Sequence, residues 1–105
     1  MNMEMPNLNY IKKLSDGDEA FEESIITVLK KEFPEELELF KKNFELKNYE
    51  AAANNVHKIK HKISILGMKK SLEYASEFEN DLRKGEIQLS SEFFNILNKI
   101  HVYLG

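Results

Sequence analysis

Residues 49–66 read YEAAANNVHKIKHKISIL, and within them Tyr49, Ala52, Val56, Ile59, Ile63 and Leu66 follow one another at intervals of 3, 4, 3, 4 and 3. That alternation is the seam of an amphipathic helix, because residues three and four apart share one face. Asn48 is suited to cap its start and Gly67 to stop it. At about 100° per residue, His57 falls roughly 130° from the centre of the seam, on an outward surface with Ala53, Lys60, His61 and Ser64 beside it. A helix with one apolar seam and one histidine-bearing face needs neighbours to complete its core.

The neighbours are also helical in pattern. A short first helix is expected over Leu8 to Leu14, ahead of Ser15-Asp16-Gly17-Asp18, which offers a stop and a fresh N-cap. Phe21, Ile25, Val28 and Leu29 mark the buried side of the next, up to Phe33-Pro34, where proline disfavours helical geometry in the residue before it and a kink or break is expected. Leu37, Phe40 and Phe44 continue the stripe to Lys47. Beyond Gly67, Tyr74, Ala75, Phe78 and Leu82 give another helix one face as far as Gly85. Phe93, Phe94, Leu97, Ile100 and Leu104 give a last helix its face, with Ser90 or Ser91 as cap. Strand-like alternation is missing, and four Gly with two Pro leave little hairpin chemistry. Short connections between amphipathic helices favour antiparallel neighbours. The expected architecture is therefore all-α: an up-and-down four-helix bundle with a short N-terminal helix and a kinked first long element, in one domain over 1–105.

Composition narrows the chemistry. The chain has 105 residues, 42% hydrophobic and 31% charged, enough to bury one core and cover it. It has no Cys, so thiolate nucleophiles and thiolate metal sites are excluded and His, carboxylates and hydroxyls remain. A formal net charge of −3 disfavours a general nucleic-acid binder. No apolar run reaches the roughly 18 to 20 residues that span a bilayer, and the opening residues lack a signal-peptide pattern, so cytoplasmic residence and no membrane partner are expected.

His57 is the candidate for chemistry. Small neighbours, Ala53 and Ser64, leave its imidazole accessible, and Lys60, one turn on, can bring an ammonium near a phosphoryl oxygen. Lys58 and Lys62 lie on other sides of the helix, where they can solvate it or steer an acidic partner. His57 and His61 are also four apart, as in zinc-binding helices. A site there needs further ligands, HExxH is absent, and three nearby lysines repel a cation, so no metal is expected. His101 reads as a boundary residue beside Leu97 and Leu104. Glu22 and Glu23, or Glu35, Glu36 and Glu38, read as helix-end or surface charges rather than catalytic pairs.

The stretch AAANNVHKIKHKISILGM resembles the signature of histidine-containing phosphotransfer domains, in which a phosphorylatable His is followed at the third position by Lys and at the tenth by Gly; here these are His57, Lys60 and Gly67. The resemblance extends to the leading helix, the acidic-Gly turn, Phe33-Pro34 and the apolar helix after Gly67. His61 departs from it, standing where Gly is usual, and can crowd a partner, add positive charge or assist proton movement. Ser71 departs as well, at a position usually apolar. The resemblance implies that His57 accepts a phosphoryl group from an aspartyl phosphate on a receiver domain and passes it to another. The chain is then a carrier without turnover of its own. It implies response-regulator receivers and a hybrid sensor histidine kinase as partners, no cofactor of its own, and Mg²⁺ in the receiver. Ile11 and Leu14 are candidate docking residues, since the leading helix of the family lies near the His surface. A monomer is the simpler expectation. The competing expectations are a docking bundle that is never phosphorylated and a His57/His61 metal helix.

Overall fold

The computed structural model describes residues 4–105. Among them the chain forms five helices, α1 (Asn9–Ser15), α2 (Glu19–Glu45), α3 (Tyr49–Ile65), α4 (Lys69–Arg83) and α5 (Ser90–Leu104), and no strand. Helix α3 packs between α2 and α4, and α5 closes the ring by touching both α4 and α2, while α1 lies on α2. The expected four-helix bundle with its short leading helix is therefore present.

Of the kink or break expected at Phe33-Pro34 the break is absent, for the 27 residues of helix α2 run on through Pro34 as one long element. A proline inside a helix removes one backbone donor and crowds the carbonyl four residues back, a cost of about 3 kcal/mol. Leu29, Phe33, Leu37 and Phe40 are buried on one face on both sides of it, and burying a single such side chain contributes about 1.5–3 kcal/mol. The shared face thus outweighs the local defect. Upstream the buried stripe starts later than its spacing suggests. Phe21 and Val28 are 44% and 48% exposed, so the deep part of the stripe begins at Leu29 rather than Phe21.

Caps divide along similar lines. The Asp18 side chain accepts from Phe21 N–H at 3.1 Å and starts α2. Asn48 stands at the N-cap of α3 without a side-chain cap bond, and α5 is preceded by Leu89, so neither Ser90 nor Ser91 caps it. The Leu89 carbonyl instead accepts from the Tyr74 hydroxyl at 3.2 Å, which ties the α4–α5 connection to α4. The core centres on Phe40, whose ring lies 5.3 to 6.2 Å from those of Phe44, Phe78, Phe93 and Phe94.

The α3–α4 turn bears on the site because it fixes the end of the His57 helix. Gly67 has φ +73°, Met68 N–H donates to Ile63 O and Gly67 N–H to Ser64 O, the paired bonds of a Schellman stop. The N-terminal segment crosses over this turn. Asn7 N–H donates to Leu66 O at 2.9 Å, and the Glu4 carboxylate accepts from the first-turn N–H groups of Lys70 and Ser71 at 3.1 and 2.8 Å. Burial raises the Glu4 pKa, but these N–H donors outweigh it and leave it below the ordinary value. Ser71 is fully buried beneath this crossing, which accounts for a small residue at that place.

A Cβ on Gly67 would sit 2.7 Å from the Asn7 side-chain amide in a left-handed backbone. Gly67→Ala is therefore expected to lower stability by about 1–2 kcal/mol, from strain at positive φ plus the clash. Denaturant titration checks this, and adding Asn7→Gly should recover only the part that comes from the clash.

Candidate functional site

His57 sits mid-way along α3, next to buried Val56, with its own side chain 60% exposed. The ring is not isolated. Its Nδ1 lies 3.3 Å from Glu79 Oε2 on α4. Lys60 Nζ approaches Glu79 Oε1 at 2.9 Å, as an ion pair rather than an aligned hydrogen bond, and donates to Ser76 Oγ at 3.3 Å. Arg83, one turn beyond Glu79, donates to Oε2 at 3.0 Å and also reaches Glu50 Oε1 and Asn54 Oδ1 on α3. A nearly buried carboxylate under the imidazole is thus held by two cations.

Burial pushes the Glu79 pKa up, but the Lys60 ammonium and the Arg83 guanidinium against it, with a smaller contribution from His57, win and leave it below the ordinary value. Glu79 therefore stays anionic near neutrality. A group with a lowered folded pKa adds stability above its unfolded pKa, and that stability is lost as pH falls through the folded value. At pH 7, Glu79→Gln should cost about 1–3 kcal/mol because Lys60 and Arg83 lose a buried anion. The gap from the natural chain should narrow as pH drops below about 4.5, the reference value for glutamate. Thermal melts from pH 3 to 7 decide this, and a gap independent of pH would mean that Glu79 is not charged in the fold.

This anion orients the ring. A carboxylate beside one ring nitrogen favours the tautomer that carries its proton there. With N–H at Nδ1 facing Glu79, the lone pair is at Nε2, on the opposite, solvent-facing edge. His57 lines a shallow groove of about 450 Å³ together with Lys60, His61, Ser64, Ile65 and Leu72. Ile65 also borders a second, mainly apolar groove between α2 and α3, of about 280 Å³, with Ile25, Val28 and Leu29.

Several residues expected at the surface are placed differently. Ala53 is fully buried: it lies about 60° around α3 from Val56 and so falls within the apolar stripe. It still presents no bulk beside the ring. Ile11 is fully buried and closes the core, whereas Leu14 is 53% exposed. Lys58, His61 and Ser64 are exposed. Lys62 does not serve as a steering charge, since its ammonium is bound by Glu32 at 2.8 Å and Glu36 at 3.3 Å. Desolvation lowers its pKa, but those two acids outweigh it and the net shift is upward.

Glu79, Ser76 and Arg83 were not singled out from the sequence. The available signal was an acid within an apolar stripe: Glu79 is four residues after Ala75 and three before Leu82. The His57 and His61 rings are 5.7 Å apart, yet no set of three His, Cys, Asp or Glu side chains gathers in metal-binding geometry among the described residues. His101 lines a different groove, with Pro34, Leu37 and Leu97. No helix is long and apolar enough to cross a membrane among the described residues.

Comparison with known proteins fits this geometry. No curated protein and no solved structure matches the chain. The family model described as the Hpt domain matches residues 24–102, which takes in α3, α4 and nearly all of α2 and α5. Hpt domains act in histidine phosphotransfer in two-component signalling, in contact with receiver domains and kinases. With a matching family model over most of its length and a helical bundle that exposes one histidine above a buried carboxylate, the chain belongs to the Hpt domain family.

Proposed function

We propose that His57 is the phosphoryl carrier of this domain, loaded from the aspartyl phosphate of one receiver domain and unloaded onto another. The observation that carries the proposal is the exposed imidazole whose Nδ1 faces Glu79, itself fixed by Lys60 and Arg83. In the loading step the Nε2 lone pair forms the N–P bond while the acyl O–P bond breaks and the receiver carboxylate leaves with the electron pair. The ring keeps its Nδ1 proton and gains positive charge, which the Glu79 anion 3.3 Å away stabilises. Unloading is the reverse, and no base is consumed in either direction.

Phosphoryl transfer depends chiefly on alignment and charge stabilisation. The domain therefore supplies a positioned nucleophile, and the receiver supplies its aspartate and Mg²⁺. Lys60 acts in this account by holding Glu79 rather than by meeting the phosphoryl group. The receiver seats on the groove around His57 and on Ile25, Val28, Ile65 and Leu72 next to it, with Ser64 and His61 at the centre. Lys58, exposed on the same helix as His57, lies at the margin of this surface. A sensor kinase bearing such a receiver is the natural source of the group, the cytoplasm the natural place, and a monomer the natural form, since the four long helices close on one core.

A two-stage relay tests this. The chain is first phosphorylated by one labelled receiver, purified, and mixed with a second receiver in Mg²⁺. Label should leave histidine and appear as aspartyl phosphate on the second receiver. Label released only as inorganic phosphate, with several receivers, would refute the carrier role.

A further inference from the structure

We infer that His61 is the residue that holds the phosphoryl group once it is on His57, its imidazolium donating a hydrogen bond to a phosphoryl oxygen. This rests on the assignment of His57 as carrier and adds a pH-dependent control over how long the phosphohistidine lasts.

The inference begins from where the other cations have gone. A phosphoryl group brings close to two negative charges and strong acceptor oxygens, and on Nε2 it stands out in the groove, away from Glu79. Lys60 sits beneath the ring, its ammonium shared between Glu79 and Ser76 and its side chain only 20% exposed. Arg83 is engaged by Glu79, Glu50 and Asn54, and Lys62 by Glu32 and Glu36. Lys58, one residue from His57, points about 100° away around the helix.

His61 is different. It is one turn beyond His57 on the same face, exposed, with its ring 5.7 Å from the His57 ring at 64° and lining the same groove. Among the described residues no carboxylate lies within ion-pair distance of it. The helices packed against α3 leave it so: on α2, Glu32 and Glu36 are taken by Lys62. On α4, Glu79 faces His57 and Ser76 faces Lys60. Leu72 forms the groove wall opposite, with Lys69 and Glu73 exposed on either side of it in sequence.

Imidazole is the side chain whose charge changes near neutral pH. A dianion delivered to its edge favours the protonated form, and by linkage the protonated form favours the phosphorylated state. The added stability is present below the raised pKa and disappears as pH rises through it.

The test loads the whole chain with phosphoramidate, which phosphorylates histidine without a partner protein, and follows the His61 ring by NMR titration in the free and loaded states. The His61 midpoint should rise by about one unit or more on loading. The phosphohistidine of the natural chain should outlive that of His61→Gln by about threefold or more at pH 6.5, and the two lifetimes should converge at pH 8.5. Loading on His57 with an unmoved His61 midpoint would overturn this inference alone. Failure of His57 to load, or loading on His61 or His101 instead, would overturn both this and the carrier assignment. Should His61→Gln fold poorly, the titration of the natural chain decides by itself.

Discussion

His57→Gln is expected to take up no phosphoryl group from a receiver while melting within about 2 °C of the natural chain. The two halves come from separate features of one residue. Nε2 is the nucleophile, and a glutamine amide has no lone pair of comparable basicity, so loss of loading should be complete rather than partial. The ring is 60% exposed, and the carboxylate it faces, Glu79, keeps Lys60 and Arg83 when the imidazole is gone. Surface substitutions of this kind usually change stability by no more than about 0.5 kcal/mol. Label incorporation and a melting curve on the same preparation check both. Residual loading at the natural rate would move the chemistry to another histidine, and a large fall in melting temperature would make His57 a structural residue.

Phe40→Ala should have the largest effect on stability, a loss of about 3–5 kcal/mol as for other buried aromatic truncations. Phe40 is fully buried on α2, and its ring meets Phe78 on α4 and both Phe93 and Phe94 on α5, so it joins three of the four long helices. Its edge-on contacts with Phe78 and Phe93 add to area burial. For a domain of this size each kcal/mol shifts the midpoint by about 4–8 °C, giving a fall on the order of 12 to 40 °C. Calorimetry measures it. A change below about 1 kcal/mol would mean that α5 can repack against α2 without this ring.

The fold was legible in the sequence wherever burial decides the structure. The seam of α3, the stripe of α4 at Ala75, Phe78 and Leu82, and that of α5 all occupy the core as their spacing requires. At Pro34 the spacing left a kink and a break both open, and α2 runs on as one element because burial on either side outweighs a local cost of about 3 kcal/mol. Phe21 and Val28 were misjudged because periodicity shows which residues share a face but not how far along the helix a partner covers it. Ser90 and Ser91 were read as caps from type alone, and the helix begins at Ser90 itself.

The site divides in the same way. The exposure of His57 and His61 follows from their angle to the α3 seam, and Gly67 from the helix stop. Glu79 belongs to another helix, and its contact with His57 depends on the register of α4 against α3, which helical periodicity leaves open. That register also sets Lys60 against Glu79. Its place one turn from His57 fits a phosphoryl contact, but the buried carboxylate opposite captures its ammonium at 2.9 Å.

The central claim, that exposed His57 carries the phosphoryl group, is tested most directly by incubating the chain with a receiver bearing labelled aspartyl phosphate and Mg²⁺ and then mapping the label. The account predicts an acid-labile, alkali-stable phosphoryl group on the peptide containing His57. A folded chain that acquires no label from several receivers, or acquires it on a different peptide, would contradict it.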